Sequence, residues 1–253
     1  MESIKLKKIK FALEVITMKI KTNFLFVSVA LFALLLTSCS DDSSSANEPT
    51  DTFDANIVCP ADGMNAYGEP NRGTFTDGRD GQVYKYTTIG NQVWMAENLK
   101  FDAPYSVCYD KIEGFCDTFG RYYSLHENGE YFGLFDQELL DTICPAGWRV
   151  PSVDDWNVLI DKMGGGAKAG PRLMSAYDFG EKYTPGSDDC GFNSLPAGSM
   201  DVNDDLTNSS FYGASYWTST AKSVSASYEC VVYPTEVTFT INYPKLIIRC
   251  VRN

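Results

Sequence analysis

The apolar and polar positions of the chain predict strands towards both ends and a helix between them. From Gly81 onwards, the segment QVYKYTTIGNQVWMAENL contains two strand-like runs on either side of Gly90-Asn91, a dipeptide typical of a hairpin turn. Near the C-terminus, four strand-like segments follow one another: ASYWTST, SYECVVY, EVTFTINY and KLIIRCV. We expect the terminal strands to pair, which gives an α+β fold with mixed or antiparallel strands, one or two helices and one long loop region.

The helix is the best-defined element. Four apolar residues fall at positions i, i+3, i+4 and i+7, which predicts one apolar helix face: Trp156, Leu159, Ile160 and Met163. Ser152 and Asp155 have the spacing of a capping box at its start. The glycine-rich segment GGGAKAG (Gly164 to Gly170) lacks the Gly-Lys-Ser/Thr ending of a phosphate-binding loop, and we expect it to end the helix and form a loop.

A long polar segment, Ala176 to Gly213, shows no regular period and is rich in tyrosine. Function resides disproportionately on such loops when a rigid scaffold carries them, so we expect ligand contacts here and tolerance to replacement of the loop. Four tyrosines in or beside it are candidate ligand contacts, since tyrosine gives broad contact at low entropic cost: Tyr177, Tyr183, Tyr212 and Tyr216. The alternative is that half or more of them cover the core.

The N-terminus predicts export. Lys19 and Lys21 precede the apolar run Phe24 to Leu36, which is shorter than the roughly 20 residues that span a bilayer and is typical of a secretory signal. The following LTSC resembles the bacterial lipobox, which implies cleavage before Cys39 and lipid attachment at that cysteine, with translation starting at Met18. Because Ser40 is not the aspartate of the inner-membrane retention signal, we expect an outer-membrane lipoprotein. The acidic residues just behind Cys39 resemble the surface-export signals of some bacterial lipoproteins, which implies exposure at the cell surface.

Charge and composition bound the remaining chain. Residues 1–39 carry six basic and two acidic residues, so the mature chain keeps 15 basic and 31 acidic residues, a formal charge of −16. Such a charge repels phosphate backbones and disfavours nucleic-acid binding. We expect residues 40–73 to form a flexible acidic tether and lead-in, and residues 74–253 to form one domain.

Eight cysteines in an exported chain predict disulfides. With Cys39 lipidated, seven remain, and sequence alone leaves 105 arrangements of three bridges open. Two pairings have arguments from position. Cys108 and Cys116 flank a tight loop that one bridge could close, and a Cys144–Cys250 bridge would tie the segment before the helix to the last strand. A Cys190–Cys230 bridge then follows by elimination, with Cys59 left over.

Several motifs occur in the order and spacing of one bacterial family: TDGRDGQVYKYTTIGNQVWMAENL, CYDKIEGFCDTFGRYYS, ICPAGWRVPSVDDWNVLID, CGFNSLPAGS, YWTST and IIRCVRN. From about Thr74 to Asn253 the chain resembles the Fibrobacter succinogenes major paralogous domain, which occurs on exported lipoproteins. The resemblance implies a C-type-lectin-like fold, with the first helix tied to the last strand through Cys144, and it brings no established activity.

Catalysis and metal binding are disfavoured by the motifs present. WRVPSVDDW, YWTST and IRC also resemble formylglycine-generating enzymes, but Lys245 stands where the partner of a redox-active Cys250 is needed. The one histidine, His126, is predicted on a surface loop without a nucleophile motif. EPN (Glu69 to Asn71) resembles a sugar-binding motif, but such a motif belongs in the long loop, whereas this one lies before the domain. We therefore expect no sugar site at EPN.

The acidic segments predict solvated loops rather than ion sites. DVNDDL (Asp201 to Leu206) begins like a calcium loop, but Leu206 and Tyr212 stand where Gly and a bidentate Glu are required, and Asp188 and Asp189 are read in the same way. We therefore expect no catalytic residue, cofactor or metal, and a lectin-like domain that binds an extracellular glycan or protein. The alternatives are a surface-coat module without a ligand and, less favoured, an oxidoreductase of the formylglycine-generating type.

Overall fold

Antiparallel pairing dominates the computed structural model, which describes residues 51–109, 112, 114–127, 136–180, 183–207, 212–242 and 245–253. The expectations for the signal, Met18, the lipobox and Cys39 lie outside these residues. The strands are β1 (Arg72–Thr76), β2 (Val83–Ile89), β3 (Gln92–Met95), β4 (Ser106–Val107), β5 (Tyr122–Tyr123), β6 (Trp148–Arg149), β7 (Ala214–Ser223), β8 (Ala226–Val232), β9 (Val237–Asn242) and β10 (Val251–Arg252). The helices are α1 (Ala55–Val58), α2 (Phe115–Phe119), α3 (Gln137–Thr142), α4 (Val153–Lys162) and α5 (Gly166–Leu173). The fold is α+β, as predicted.

The largest sheet joins the two ends of the domain. Its order is β1-β2-β3-β10-β6, with every neighbouring pair antiparallel. β2 and β3 form the predicted hairpin, in which Ile89 pairs with Gln92 and Gly90 has a φ of +60°, a conformation that favours glycine. The short β10 lies between β3 and β6, so the C-terminal strand pairs within the N-terminal sheet, as expected.

The second sheet has the order β7-β8-β9 and contains three of the four C-terminal strands that the sequence predicts. The fourth segment does not continue this sheet. Its residues Leu246 and Ile247 form single bridges to Tyr123 and Tyr216, and only then does the chain enter β10. Because this segment crosses from one sheet to the other, it connects the two parts of the core.

Helix α4 has the predicted start and the predicted buried face. The Ser152 side chain accepts from the Asp155 N–H and the Asp155 carboxylate accepts from the Ser152 N–H, which completes the capping box. Arg149 binds the same carboxylate with both terminal nitrogens, at 2.5 and 2.8 Å. The predicted apolar face is buried, and Trp156 packs against Trp94 and Tyr216 with ring centroids 4.8 and 5.2 Å apart.

The glycine-rich segment differs from its prediction. Gly164 and Gly165 end α4 with positive φ values, but Gly166 begins α5 instead of a loop. A Cβ on Gly170 would clash with the backbone of Tyr233 and Glu236, at the turn between β8 and β9. The small residues therefore let a helix approach this turn closely, a long-range reason that local propensity does not contain.

The described residues form three disulfides, two of which connect distant parts of the chain. Cys108 pairs with Cys116 and Cys144 with Cys250, the partners expected from the sequence, with Cα atoms 5.7 and 6.1 Å apart. The expected Cys190–Cys230 bridge is wrong. Cys190 pairs with Cys59 at a Cα distance of 5.5 Å, and Cys230 is a free, buried thiol on β8.

The Cys59–Cys190 bridge also moves the domain boundary. Residues 51–73, expected in the tether and lead-in, are held to the domain by this disulfide and by further contacts. Glu69 pairs with Arg252 at 3.1 Å, and the Tyr67 hydroxyl donates to the Asn253 carbonyl. The folded unit therefore begins before Thr74. No helix of the described part of the chain is long and apolar enough to cross a membrane.

The bridges predict unequal contributions to stability. Replacing Cys144 and Cys250 together with alanine opens a 106-residue loop, and we expect a loss of about 4–5 kcal/mol in the free energy of unfolding. The same change at Cys108 and Cys116 opens a loop of 8 residues and should cost about 2.5 kcal/mol. Denaturant unfolding of the full chain measures both. Equal losses would contradict the chain-entropy explanation.

Candidate functional site

A cleft of about 490 Å³ opens beside the end of β3. Four segments form its walls: the chain from Ala96 to Lys100, helix α2, the chain that follows α5, and the loop from Asp188 to Leu195. The lining residues are Lys85, Ala96, Glu97, Lys100, Asp117, Thr118, Ser175, Tyr177, Phe179, Asp188, Gly191, Asn193 and Leu195. The volume lies within the roughly 300–1,000 Å³ of small-molecule sites, which makes this cleft the candidate site.

One wall carries a compensated pair of charges. The Glu97 carboxylate accepts from the Lys85 N–H at 2.7 Å and from the Lys100 ammonium at 3.2 Å. The Lys100 N–H in turn donates to the Tyr84 hydroxyl at 2.9 Å. Burial raises the pKa of Tyr84 to about 12, so that this hydroxyl stays protonated at neutral pH. This wall is therefore rigid and close to neutral.

Asp188 lies on the opposite wall, where its surroundings disfavour the ionised carboxylate. Its backbone has a φ of +49°, and that of Asn193 has +52°, both unusual for residues other than glycine. Burial raises the pKa of Asp188 to about 6, although a hydrogen bond from the Asn193 N–H at 2.7 Å and the charges of Arg249 and Arg72 act in the opposite direction. The prediction of a solvated loop acid is therefore wrong for Asp188. A half-buried acid with a raised pKa in a cleft is typical of functional sites.

The two walls are joined from behind by Arg249, which is fully buried. Its guanidinium donates to the Asn98 side chain and the Met95 carbonyl on one side. On the other side it donates to the carbonyl oxygens of Phe192 and Asn193. Burial lowers the pKa of Arg249, and these oxygen acceptors offset part of the desolvation cost of the cation.

An aromatic cluster forms the third side. Tyr177 is half-buried and packs edge-on against the buried Phe179, with centroids 4.9 Å apart. Phe179 is braced by Tyr183 at 5.1 Å and by Phe119 of α2 at 5.6 Å. The position of the Tyr177 ring in the cleft is therefore set by packing.

The four candidate tyrosines have different roles. Tyr177 lines the cleft, and Tyr212 is 44% exposed but lies outside it. Tyr183 is buried and donates to the Ser175 carbonyl, while Tyr216 is fully buried on β7, with its hydroxyl 2.9 Å from that of Ser194. The expectation of ligand contact is wrong for Tyr183 and Tyr216, because their rings complete the core.

The long loop region is itself part of the core. Its described residues include seven buried apolar side chains: Phe179, Tyr183, Cys190, Phe192, Leu195, Ala197 and Met200. The expectation that the whole segment is replaceable is therefore wrong. The apolar residues are spaced irregularly because the chain has no repeating conformation here, so no period reveals their burial.

His126 also differs from its prediction. It is fully buried rather than exposed, its Nε2 lies 3.4 Å from the Ser225 carbonyl oxygen, and its ring packs edge-on against Trp217 at 5.9 Å. Burial lowers its pKa, which keeps the ring neutral. His126 is a core residue that joins its segment to the β7–β8 turn.

The calcium-like segment forms its own turn. Asp201 accepts from the N–H groups of Asn203 and Asp205, and Lys245 pairs with Asp204. Among the described residues, no group of three or more His, Cys, Asp or Glu side chains is arranged to hold a metal ion.

The fold and the cleft define a class of protein: a disulfide-bridged α+β domain in which irregular segments build one polar site. The family model of the Fibrobacter succinogenes major domain matches residues 87–252, and the chain belongs to that family. No curated protein and no solved structure matches the chain. The matched range begins inside β2, so the Cys59 segment that fastens the cleft loop lies outside it.

Sequence reasoning missed Asp188, Asn193 and the Ala96–Lys100 wall. One indirect signal for these residues is Cys190 in the segment CGFNS. A bridged cysteine fixes the loop around it, and that loop contains both Asp188 and Asn193. Nothing local distinguishes Asp188 from Asp189: both residues are half-buried, and desolvation by distant parts of the chain raises the pKa of the Asp188 carboxyl group.

Asp188 should destabilise the fold at neutral pH. Its pKa of about 6 exceeds the usual 3.8, so between about pH 4 and 6 the folded chain binds more protons than the unfolded chain, and stability falls as the pH rises. Asp188→Asn should therefore raise the free energy of unfolding by about 1–3 kcal/mol at pH 7.5 and by much less at pH 4.

The matched control is Asp189→Asn, which removes a neighbouring carboxylate that lies 3.6 Å from Arg172. We expect no gain from it at either pH. Denaturant unfolding at the two pH values measures both variants, and an Asp188→Asn variant that is less stable at pH 7.5 would contradict the assigned burial cost.

Proposed function

We propose that the chain is a lipid-anchored bacterial surface protein whose domain binds an extracellular ligand, a glycan or a protein, in the cleft and catalyses nothing. The observation that carries the proposal is the cleft itself. Its lining combines an aromatic ring, carboxylates, an amide and hydroxyls on walls that Arg249 and the Cys59–Cys190 bridge hold in place. A preorganised site of this kind loses little entropy when it binds.

We also propose a C-type-lectin-like fold. Three features support it: the Cys144–Cys250 bridge that ties the segment before α4 to the last strand, the position of β10 between β3 and β6, and the irregular region between α5 and β7. Folds are shared by proteins of unrelated activity, so the binding proposal depends on the cleft and not on the fold.

The cysteines support a domain without redox catalysis. Cys250 is fully buried and bridged to Cys144, and Lys245, at the position that a second active-site cysteine would occupy, pairs with Asp204. Burial holds the pKa of the free Cys230 thiol well above its usual value, whereas a nucleophilic cysteine needs a thiolate. We expect no conversion of a cysteine peptide to formylglycine by the intact chain.

Blocking the cleft tests the binding proposal. Thr118→Trp places a large ring among the lining residues, and we expect it to reduce binding of the full chain to glycan and protein arrays at least tenfold. Thr74→Trp makes the same change at an exposed position of β1 outside the cleft and should leave binding unchanged. Thermal unfolding checks that both variants fold. If the unmodified chain binds nothing, the domain is a structural module and the proposal fails.

The lipid anchor has a separate test. Mass spectrometry of the mature N-terminus should find a diacylglyceryl cysteine at Cys39, and Cys39→Ser should release the protein from the membrane fraction. A mature chain that begins elsewhere and is unaffected by this substitution would contradict the anchoring proposal.

A further inference from the structure

The chemistry of the cleft indicates which kind of ligand it accepts. Five charged residues line the cleft: Glu97 and Lys100 neutralise each other, Lys85 and Asp117 are exposed at the rim, and Asp188 is half-buried. The interior is left with short side chains that form hydrogen bonds: Thr118, Ser175, Asp188 and Asn193. A site with one neutralised charge pair, one half-buried carboxylate and several hydroxyl groups matches a neutral ligand with many hydroxyls better than an anionic one, which the carboxylate would repel.

Asp188 provides the strongest acceptor of this interior. An ionised carboxylate has about four acceptor positions, and within the described residues the Asp188 carboxylate accepts one hydrogen bond, from the Asn193 N–H. The remaining positions suit donors, and adjacent hydroxyls of a sugar can supply two. Because the cleft is partly desolvated, such hydrogen bonds are stronger than in water.

Tyr177 provides the apolar surface. Sugar rings present C–H groups on one face, and an aromatic ring with a polar hydroxyl at its tip suits a ligand that is apolar on a face and polar at its edges. The packing of Tyr177 on Phe179 fixes the ring before the ligand arrives.

A peptide fits this cleft less well. Extended peptides bind by adding a strand to a free sheet edge. The backbone beside the cleft is already paired: Ser175 donates to the Ser194 carbonyl, Ser194 donates to the Leu173 carbonyl, and Met174 bridges Ser194.

We propose that the cleft binds a short neutral oligosaccharide, with sugar hydroxyls donating to the Asp188 carboxylate and one sugar ring packing on Tyr177. This inference rests on the proposed function and adds to it the ligand class and two contact residues.

The groups that face Asp188 are Arg72, Arg249, Asp189 and Tyr183, together with the Asn193 N–H. Hydroxyl donors favour the ionised carboxylate, so binding is stronger at pH 7.5 than at pH 5.

The test uses the full-length chain in detergent on an array that carries neutral oligosaccharides, uronate-containing oligosaccharides and peptides of similar size. We expect binding to neutral oligosaccharides. Asp188→Asn should weaken it about tenfold at pH 7.5, as expected for the loss of a hydrogen bond to a charged group, and should remove most of the pH dependence.

Three variants test the aromatic contact. Tyr177→Ala should weaken binding at least tenfold, while Tyr177→Phe keeps the ring and should keep binding within a few-fold. Tyr212→Ala removes an exposed tyrosine outside the cleft and should have no effect.

Asp188→Asn is expected to be more stable than the unmodified chain at pH 7.5, so weaker binding by that variant does not reflect unfolding.

The outcomes separate this inference from the proposed function. Binding to neutral oligosaccharides that the Asp188 and Tyr177 variants leave unchanged, or binding to peptides or uronates alone, overturns the inference while a binding function stands. An absence of binding to every component of the array and to whole cells overturns both.

Discussion

The buried guanidinium of Arg249 is the interaction on which the arrangement of the domain depends. It lies in the chain between Ile247, which bridges to Tyr216, and β10, and it donates to acceptors at residues 95 and 98 and at residues 192 and 193. Those acceptors belong to opposite walls of the cleft. A buried cation without acceptors would cost several kcal/mol, so the two walls and the C-terminal segment must come together for the charge to be tolerated.

The same interaction explains why an irregular region can be rigid. The loop from Asp188 to Leu195 has no helix or strand of its own. It is held by Arg249 on one side, by the Cys59–Cys190 bridge on the other, and by the hydrogen bond from the Thr87 hydroxyl to the Cys190 carbonyl. Side-chain donors therefore satisfy carbonyl groups that a sheet would otherwise pair, and fixed positions for Asp188 and Asn193 follow.

The parts of this fold that the sequence predicts are those with local causes. The β2–β3 hairpin depends on Gly90-Asn91, the start of α4 on Ser152 and Asp155, and its buried face on one period of apolar residues. The unpredicted parts depend on distant neighbours. Position 170 requires glycine because the β8–β9 turn approaches it closely, and Cys59 pairs with Cys190 because the lead-in folds back onto the domain.

The candidate site follows the same division. Tyr177 was identified because it lies in a polar, tyrosine-rich segment, but the same criterion selected Tyr183 and Tyr216, whose burial depends on the packing of α4 and β7. The sequence predicts a solvated Asp188 because an acidic pair in a loop is ordinarily exposed. Its partial burial results from a loop that is held on both sides by residues more than 50 positions away, Arg249 and Cys59.

The position of the cleft between the two ends of the domain has a mechanical consequence. The lead-in reaches the cleft loop through Cys59, the C-terminal segment reaches it through Arg249, and the two ends are themselves joined where Glu69 pairs with Arg252. A displacement of either end is therefore resisted by the Cys59–Cys190 bridge or by the hydrogen bonds of Arg249 before it changes the positions of the residues that line the cleft. A site built from loops keeps its geometry because the two ends of the described domain, positions that are mobile in many domains, serve as its supports.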